Sequence, residues 1–269
     1  MSDLARMPNG LVTYATSGGV ATLCLSNPPA NAYSHEMMRD LDEAVLRARF
    51  DDTVHVLLLR GEGDKFFCAG ADIRKLQSMT TAYKYNFCLH ANETLCRLEH
   101  TPKLVIAALA GHCVGGGLEI AMAADLRVGR RGGGKMGLPE VTLGVLPGTG
   151  GTQRLVRLVQ NRAIAIELMA TGRTFDFDEG LRLGLINHVF DAETFETEVT
   201  ALARSFVPPG RASRAVGLIK RAATSGAEMS LGEGLALERE LQQRLFESGD
   251  AAEGLAAYLE KRAAAFTGR

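Results

Sequence analysis

"LVIAALAGHCVGGGLEIAMAADLRVGR", residues 104–130, carries a strand, a glycine turn, a helix and a second strand in one stretch. Its first six residues are apolar without alternation, which reads as a strand covered on both faces. Gly111 ends that run. Gly115, Gly116 and Gly117 then precede "LEIAMAAD", which reads as a helix, and "LRVGR" is a short strand. Glu119 stands at the mouth of the helix, where a carboxylate costs several kcal/mol to desolvate without partners.

The same alternation runs upstream. "LVTYATSGGVATLCLSN" (11–27) reads as two strands about a Ser-Gly-Gly turn. "SHEMMRDLDEAVLRARFD" (34–51) opens on a Ser34 cap and carries Met38, Leu41 and Val45 at helical spacing. "VHVLLLRG" (54–61) is a buried-strand run, and 80–100 has helical character. Strands apolar on both faces and alternating with helices predict an α/β fold with a largely parallel sheet and helical crossovers. From residue 150 the pattern turns helical: 152–160, 161–172, 178–186, 191–207, 211–224, 231–247 and 251–265. The turn "FVPPGRAS" (206–213) sets off the last three helices. The expected organisation is a core over 1–206 and a helical region over 207–269. "GRRGGGKMG" (129–137) stands out as a glycine-rich, basic loop.

Composition narrows the function class. A chain of 269 residues fits one large domain, or one domain with a helical appendage. The formal net charge of -1 gives no basic surplus for nucleic acid or an acidic membrane. No apolar stretch reaches the roughly 18 residues of a membrane span. Five cysteines without a CxxC pair argue against a disulfide framework and for a reducing interior, so a cytoplasmic setting is expected, with an organelle matrix the alternative. The start, "MSDLARMPNG", lacks the basic-then-apolar layout of a secretory signal. Six histidines form no HExxH motif and no His/Cys cluster, so no metal site is expected.

Two glycine turns follow two buried strands: "FFCAGADI" (66–73) and "GHCVGGGLE" (111–119). In a parallel sheet both lie at carboxyl ends of strands, where such folds bind ligands. Either turn alone is unremarkable. Two side by side can aim two backbone N–H groups at one carbonyl oxygen and stabilise charge developing there. Glu119, and Glu140 in "LPEVTLGVLPGTGGTQRL" (138–155), then form a candidate acid–base pair. Taken singly, Glu119 is a helix-dipole partner and Glu140 a solvated loop acid. Other chemistries lack their motifs: "LPGTGGTQR" has no lysine of a P-loop, and no GxSxG is present. Cys68 and Cys113 read as packing cysteines.

These motifs, with "NPPANAYSHEM" (27–37) and "YLEKRAAAF" (258–266), resemble the crotonase superfamily, specifically enoyl-CoA hydratases, over about residues 11–266. The resemblance implies a spiral of ββα units followed by a C-terminal helical trimerisation region, assembled as a homotrimer or a homohexamer. It implies oxyanion N–H donors at Ala71 and Gly116 and catalytic glutamates at Glu119 and Glu140. It implies a main-chain role for Gly148 beside the water. Ala69, Asp72, Ile73 and Lys261 match substrate or CoA contacts, the Ala69 carbonyl towards adenine and Lys261 towards a phosphate. No separate cofactor is implied, because coenzyme A is part of the acyl-CoA thioester substrate. The loop between Asp125 and Glu140 is about one residue longer than the usual family spacing, and the extra residue is expected to bulge outward. Two other readings stay open. One is a different crotonase reaction, either isomerisation or hydration of a branched, cyclic or carboxylated acyl-CoA. The other is a non-catalytic binding protein, disfavoured because helix 80–100 carries only Lys84 and Arg97.

Overall fold

A computed structural model describes residues 4–269. In chain order the strands are β1 (Ala5–Arg6), β2 (Val12–Ser17), β3 (Val20–Leu25), β4 (Val56–Gly61), β5 (Phe66–Cys68), β6 (Leu104–Leu109), β7 (His112–Val114), β8 (Leu126–Arg130), β9 (Lys135–Gly137), β10 (Phe175–Asp176) and β11 (His188–Phe190). The helices of the first half are α1 (His35–Phe50), α2 (Ile73–Ser78), α3 (Thr81–Glu99) and α4 (Gly116–Met122). Those of the second half are α5 (Gly151–Val159), α6 (Arg162–Thr171), α7 (Phe177–Arg182), α8 (Phe195–Arg204), α9 (Ser213–Gly226), α10 (Leu231–Phe246) and α11 (Gly249–Glu260).

The strands form two sheets where alternation along the sequence suggests one. The larger runs in the order β1-β2-β3-β4-β6-β8-β11 and is parallel from β3 onward. The smaller runs β10-β9-β7-β5. Each long strand β4, β6 and β8 is followed by a short strand of the second sheet, β5, β7 and β9. Repeated ββα units thus stack their short strands in the same sequence as their long ones.

The apolar runs of β4 and β6 serve two cores. Successive side chains of a strand point to opposite faces. Leu57, Leu59, Val105, Ala107 and Leu109 join the main core beneath α1, α3, α4 and the small sheet. Val56, Leu58, Leu104, Ile106 and Ala108 meet Phe195, Val199 and Ala203 of α8 on the other side. The continuous hydrophobicity of both strands follows directly from this double burial.

Ser34 caps α1 as its sequence predicts, accepting from the Met37 N–H. Helix α9 is docked on the core by Lys220, whose Nζ lies 2.8 Å from Asp125 Oδ2 with both groups largely buried. The last helix ends at Glu260 and does not continue to 265. Lys261 adopts a left-handed φ of 55°, and Arg262 turns back to pair with Glu253 at 2.6 Å. The basic glycine loop is the turn between β8 and β9. Arg131 leaves it to bind Asp178 and Asp191, and Gly132 faces open space.

Candidate active site

Tyr33 makes an isolated rung of parallel pairing with Ala71. Its N–H donates to the Gly70 carbonyl at 2.9 Å, and its carbonyl accepts the Asp72 N–H at 3.0 Å. In parallel pairing a residue bonds to the two that flank its opposite number. The N–H of Ala71 therefore faces away from Tyr33, and among the described residues it has no hydrogen-bond partner. The N–H of Gly116, first residue of α4, is likewise free of partners among the described residues.

The two turns touch. A Cβ built on Gly70, whose φ is +89°, would lie 3.1 Å from the Gly116 nitrogen. A Cβ on Gly116 would come within 2.3 Å of the Tyr33 ring. Glycine at 70 lets the "FCAGADI" and "GHCVGGGLE" turns close on each other, and glycine at 116 admits the Tyr33 ring against them. The result is a pair of adjacent turns carrying two unpartnered N–H donors.

Glu119 is 1% exposed. Its Oε1 accepts two backbone N–H bonds, from Thr149 and from Gly151, each 2.7 Å long. Gly151 is the first residue of α5, so the carboxylate rests on the N-terminus of a helix other than its own. Burial raises its pKa; the N–H groups of Gly151 and Thr149 and the charge of Arg154 oppose that rise.

Glu140 opens a short 3-10 turn, Glu140–Leu143. Its Oε1 lies 3.1 Å from where a Cβ on Gly115 would stand, so it reaches the same glycine turn. Its Oε2 is buried without a hydrogen-bond partner. Burial, with the charge of Glu119 adding to it, pushes its pKa up to about 7. The β8–β9 turn thus leaves Glu140 at the glycine turn.

The remaining sequence candidates fall into three groups. Gly148 adjoins the Glu119 cradle: its carbonyl accepts from Asn92 Nδ2 at 3.3 Å, and its N–H has no partner among the described residues. Ala69 donates its N–H to Ala30, while its carbonyl is unengaged among the described residues. Asp72 and Ile73 begin α2; the Asp72 side chain caps that helix through the N–H groups of Arg74 and Lys75, and Ile73 is half exposed. Lys261 lies apart from these, exposed at the end of α11, with no hydrogen bond or ion pair to the residues above.

Three contributors are silent in the sequence. Thr149 and Gly151 donate main-chain N–H groups, which any residue type carries. Tyr33 sits in "NPPANAYS" with nothing local to mark it. The glycine spacing of "LPGTGG" was the available hint: the loop resembles an anion cradle without a P-loop lysine, and its anion is the protein's own Glu119. Among the described residues no group of three or more His, Cys, Asp or Glu side chains is placed to hold a metal ion. No described helix is long and apolar enough to cross a membrane.

Residues 15–269 match the family model described as enoyl-CoA hydratase/isomerase. The chain is 36% identical over 252 residues to the short-chain-enoyl-CoA hydratase of Clostridium acetobutylicum, covering 93% of this chain and 95% of that one. It is 36% identical to the crotonyl-CoA hydratase of Syntrophomonas wolfei, over 92% and 94% of the two chains. Its fold superposes on a crystal structure of an enoyl-CoA hydratase from Geobacillus kaustophilus with a TM-score of 0.96, 40% identity and full coverage of both chains. The enoyl-CoA hydratase of Bacillus anthracis gives a TM-score of 0.88 at 30% identity, over 96% of this chain and 100% of that one. The spiral of ββα units, the paired glycine turns and these matches together place the chain in the enoyl-CoA hydratase/isomerase family, on the crotonase fold.

Proposed function

We propose that the protein is a hydro-lyase that adds water reversibly across the 2,3 double bond of a short-chain enoyl-CoA. The observation that carries this reading is the unequal treatment of its two glutamates. Glu119 receives two N–H bonds, which favour its charged form. Glu140 has a buried, unpartnered oxygen and a pKa near 7, which favours its protonated form. One site then holds a base and an acid at the same pH.

The steps follow from that division. The thioester oxygen lies between the N–H groups of Ala71 and Gly116. Glu119 takes a proton from a water supported by the main chain at Gly148, and the hydroxyl bonds to the β-carbon. The double-bond electrons move onto the thioester oxygen as an enolate, stabilised by about 3 kcal/mol per donor in comparable sites. The Glu140 carboxylic acid then gives its proton to the α-carbon as the carbonyl reforms. The proton left on Glu119 returns to Glu140 between turnovers. Isomerisation requires no water, and the seating of Glu119 beside Gly148 favours hydration over it.

Ala69, Asp72 and Ile73 flank the Ala71 donor in the chain and are assigned to substrate, with the free Ala69 carbonyl available to the adenine amine. Lys261 is assigned to a CoA phosphate of a neighbouring subunit. Exposed Ile219, Leu231, Phe246, Leu255, Tyr258 and Leu259 on α9–α11 support a trimer or hexamer built through residues 207–269. Five unpaired cysteines support a reducing compartment, cytoplasm or organelle matrix.

A substrate panel tests the reading. Crotonyl-CoA should lose its conjugated-thioester absorbance on addition of protein, faster than long-chain or carboxylated enoyl-CoAs. Turnover of a 3-enoyl-CoA without hydration of any 2-enoyl-CoA would overturn it in favour of an isomerase.

A further inference from the structure

Tyr33 touches three separate parts of the site. Its main chain orients Ala71 through the bonds to Gly70 and Asp72. Its ring lies against Gly116 closely enough to exclude any Cβ there. Its hydroxyl lies 2.9 Å from Thr149 Oγ1, and the Thr149 N–H donates to Glu119. The ring is clamped by Phe87, stacked at 5.4 Å between centroids and 7° between planes. Tyr33 is 2% exposed, and its hydroxyl meets Thr149.

We propose that Tyr33 is a positioning residue for hydration, whose hydroxyl holds Glu119 through Thr149 while its ring and main chain set the Gly116 and Ala71 donors. The inference rests on the hydratase reading above. An apolar side chain of similar size would supply the packing. The hydroxyl needs a separate reason to be there, since burying it without a partner is costly and its partner is Thr149. The Thr149 hydroxyl itself favours the charged form of Glu119. Either hydroxyl can donate in the Tyr33–Thr149 bond, and the bond ties the Tyr33 ring to the loop whose N–H groups receive Glu119. Burial and the nearby Glu119 charge hold the phenol well above its usual range, so it stays neutral.

Tyr33→Phe keeps ring and backbone and removes the hydroxyl. Its kcat for crotonyl-CoA should fall about tenfold, the scale of one hydrogen bond, with KM within about twofold and the thermal midpoint nearly unchanged. Thr149→Val should show the same kcat loss, Thr149→Ser should restore most of it, and Tyr33→Phe with Thr149→Val should be no worse than Thr149→Val alone. Carbon NMR titration of the Glu119 carboxyl, assigned by its loss in Glu119→Gln, should move to higher pH in Tyr33→Phe. Glu140, Arg154 and Cys88 also face Glu119 and are untouched by that substitution, so the movement reports the lost hydroxyl. Unchanged kcat with an unmoved titration, or additive losses in the double variant, would overturn the positioning role. If wild-type protein hydrates no enoyl-CoA, the functional reading has failed, and the Glu119 titration alone still decides whether Tyr33 holds it.

Discussion

Glu140 Oε1 reaches the glycine turn that opens the Glu119 helix, yet Glu119 Oε1 accepts two 2.7 Å N–H bonds while Glu140 Oε2 accepts none. Two carboxyl groups in one buried site cannot both carry charge without cost. The hydrogen-bond donors decide which of them does. They come from the start of α5, where peptide dipoles already favour an anion.

Replacing either acid should remove acid–base help while leaving the fold intact. Glu119→Gln and Glu140→Gln should each lose about 10²-fold or more in kcat for crotonyl-CoA hydration. The double variant should lose less than the product of the single losses, because the two act as a unit. Wild-type rates in both single variants would exclude the pair from the chemistry.

The pH profile of hydration should fall on both sides. The protonated fraction of Glu140 declines as pH rises through about 7, so the rate declines on the alkaline side. Glu119 must be ionised to accept a proton, and its raised pKa puts the acid limb above the ordinary 4.5 of a glutamate. The apparent values belong to the pair. A rate that is flat from neutrality to strongly alkaline pH would contradict a protonated Glu140 at the start of the cycle.

Gly116→Ala places a methyl group 2.3 Å from the Tyr33 ring. Ring or turn must move, and moving the turn displaces an oxyanion donor. Activity should fall by about 10²-fold or more, with an overpacking cost of about 1–3 kcal/mol visible in denaturant unfolding. Near-normal kcat would mean the Gly116 N–H is not a donor in the transition state.

Lys220→Met removes one partner of the buried pair with Asp125. An uncompensated buried charge costs about 3 kcal/mol or more, which is roughly 6–12 °C in midpoint for a chain of this size. Calorimetry reads this directly. A shift under about 1 °C would show that α9 docks without the pair.

Sequence and tertiary structure divide the account unevenly. The parallel α/β class, the Ser34 cap, both glycine turns and the candidate pair Glu119 and Glu140 were legible in the chain, because burial on two faces, capping and tight turns impose local composition. Tyr33, Thr149 and Gly151 were not, because a stacked ring and two peptide N–H groups leave no pattern at their own positions. The placing of Glu119 is the sharpest case. Its position at the start of α4 made a charge there tolerable on sequence grounds alone. Only the fold shows that α5, more than thirty residues further along, supplies the N–H groups that receive it. Helix periodicity and glycine spacing are properties of neighbouring residues, whereas the partner of a buried charge is chosen by which distant helix end the packing brings within hydrogen-bond reach.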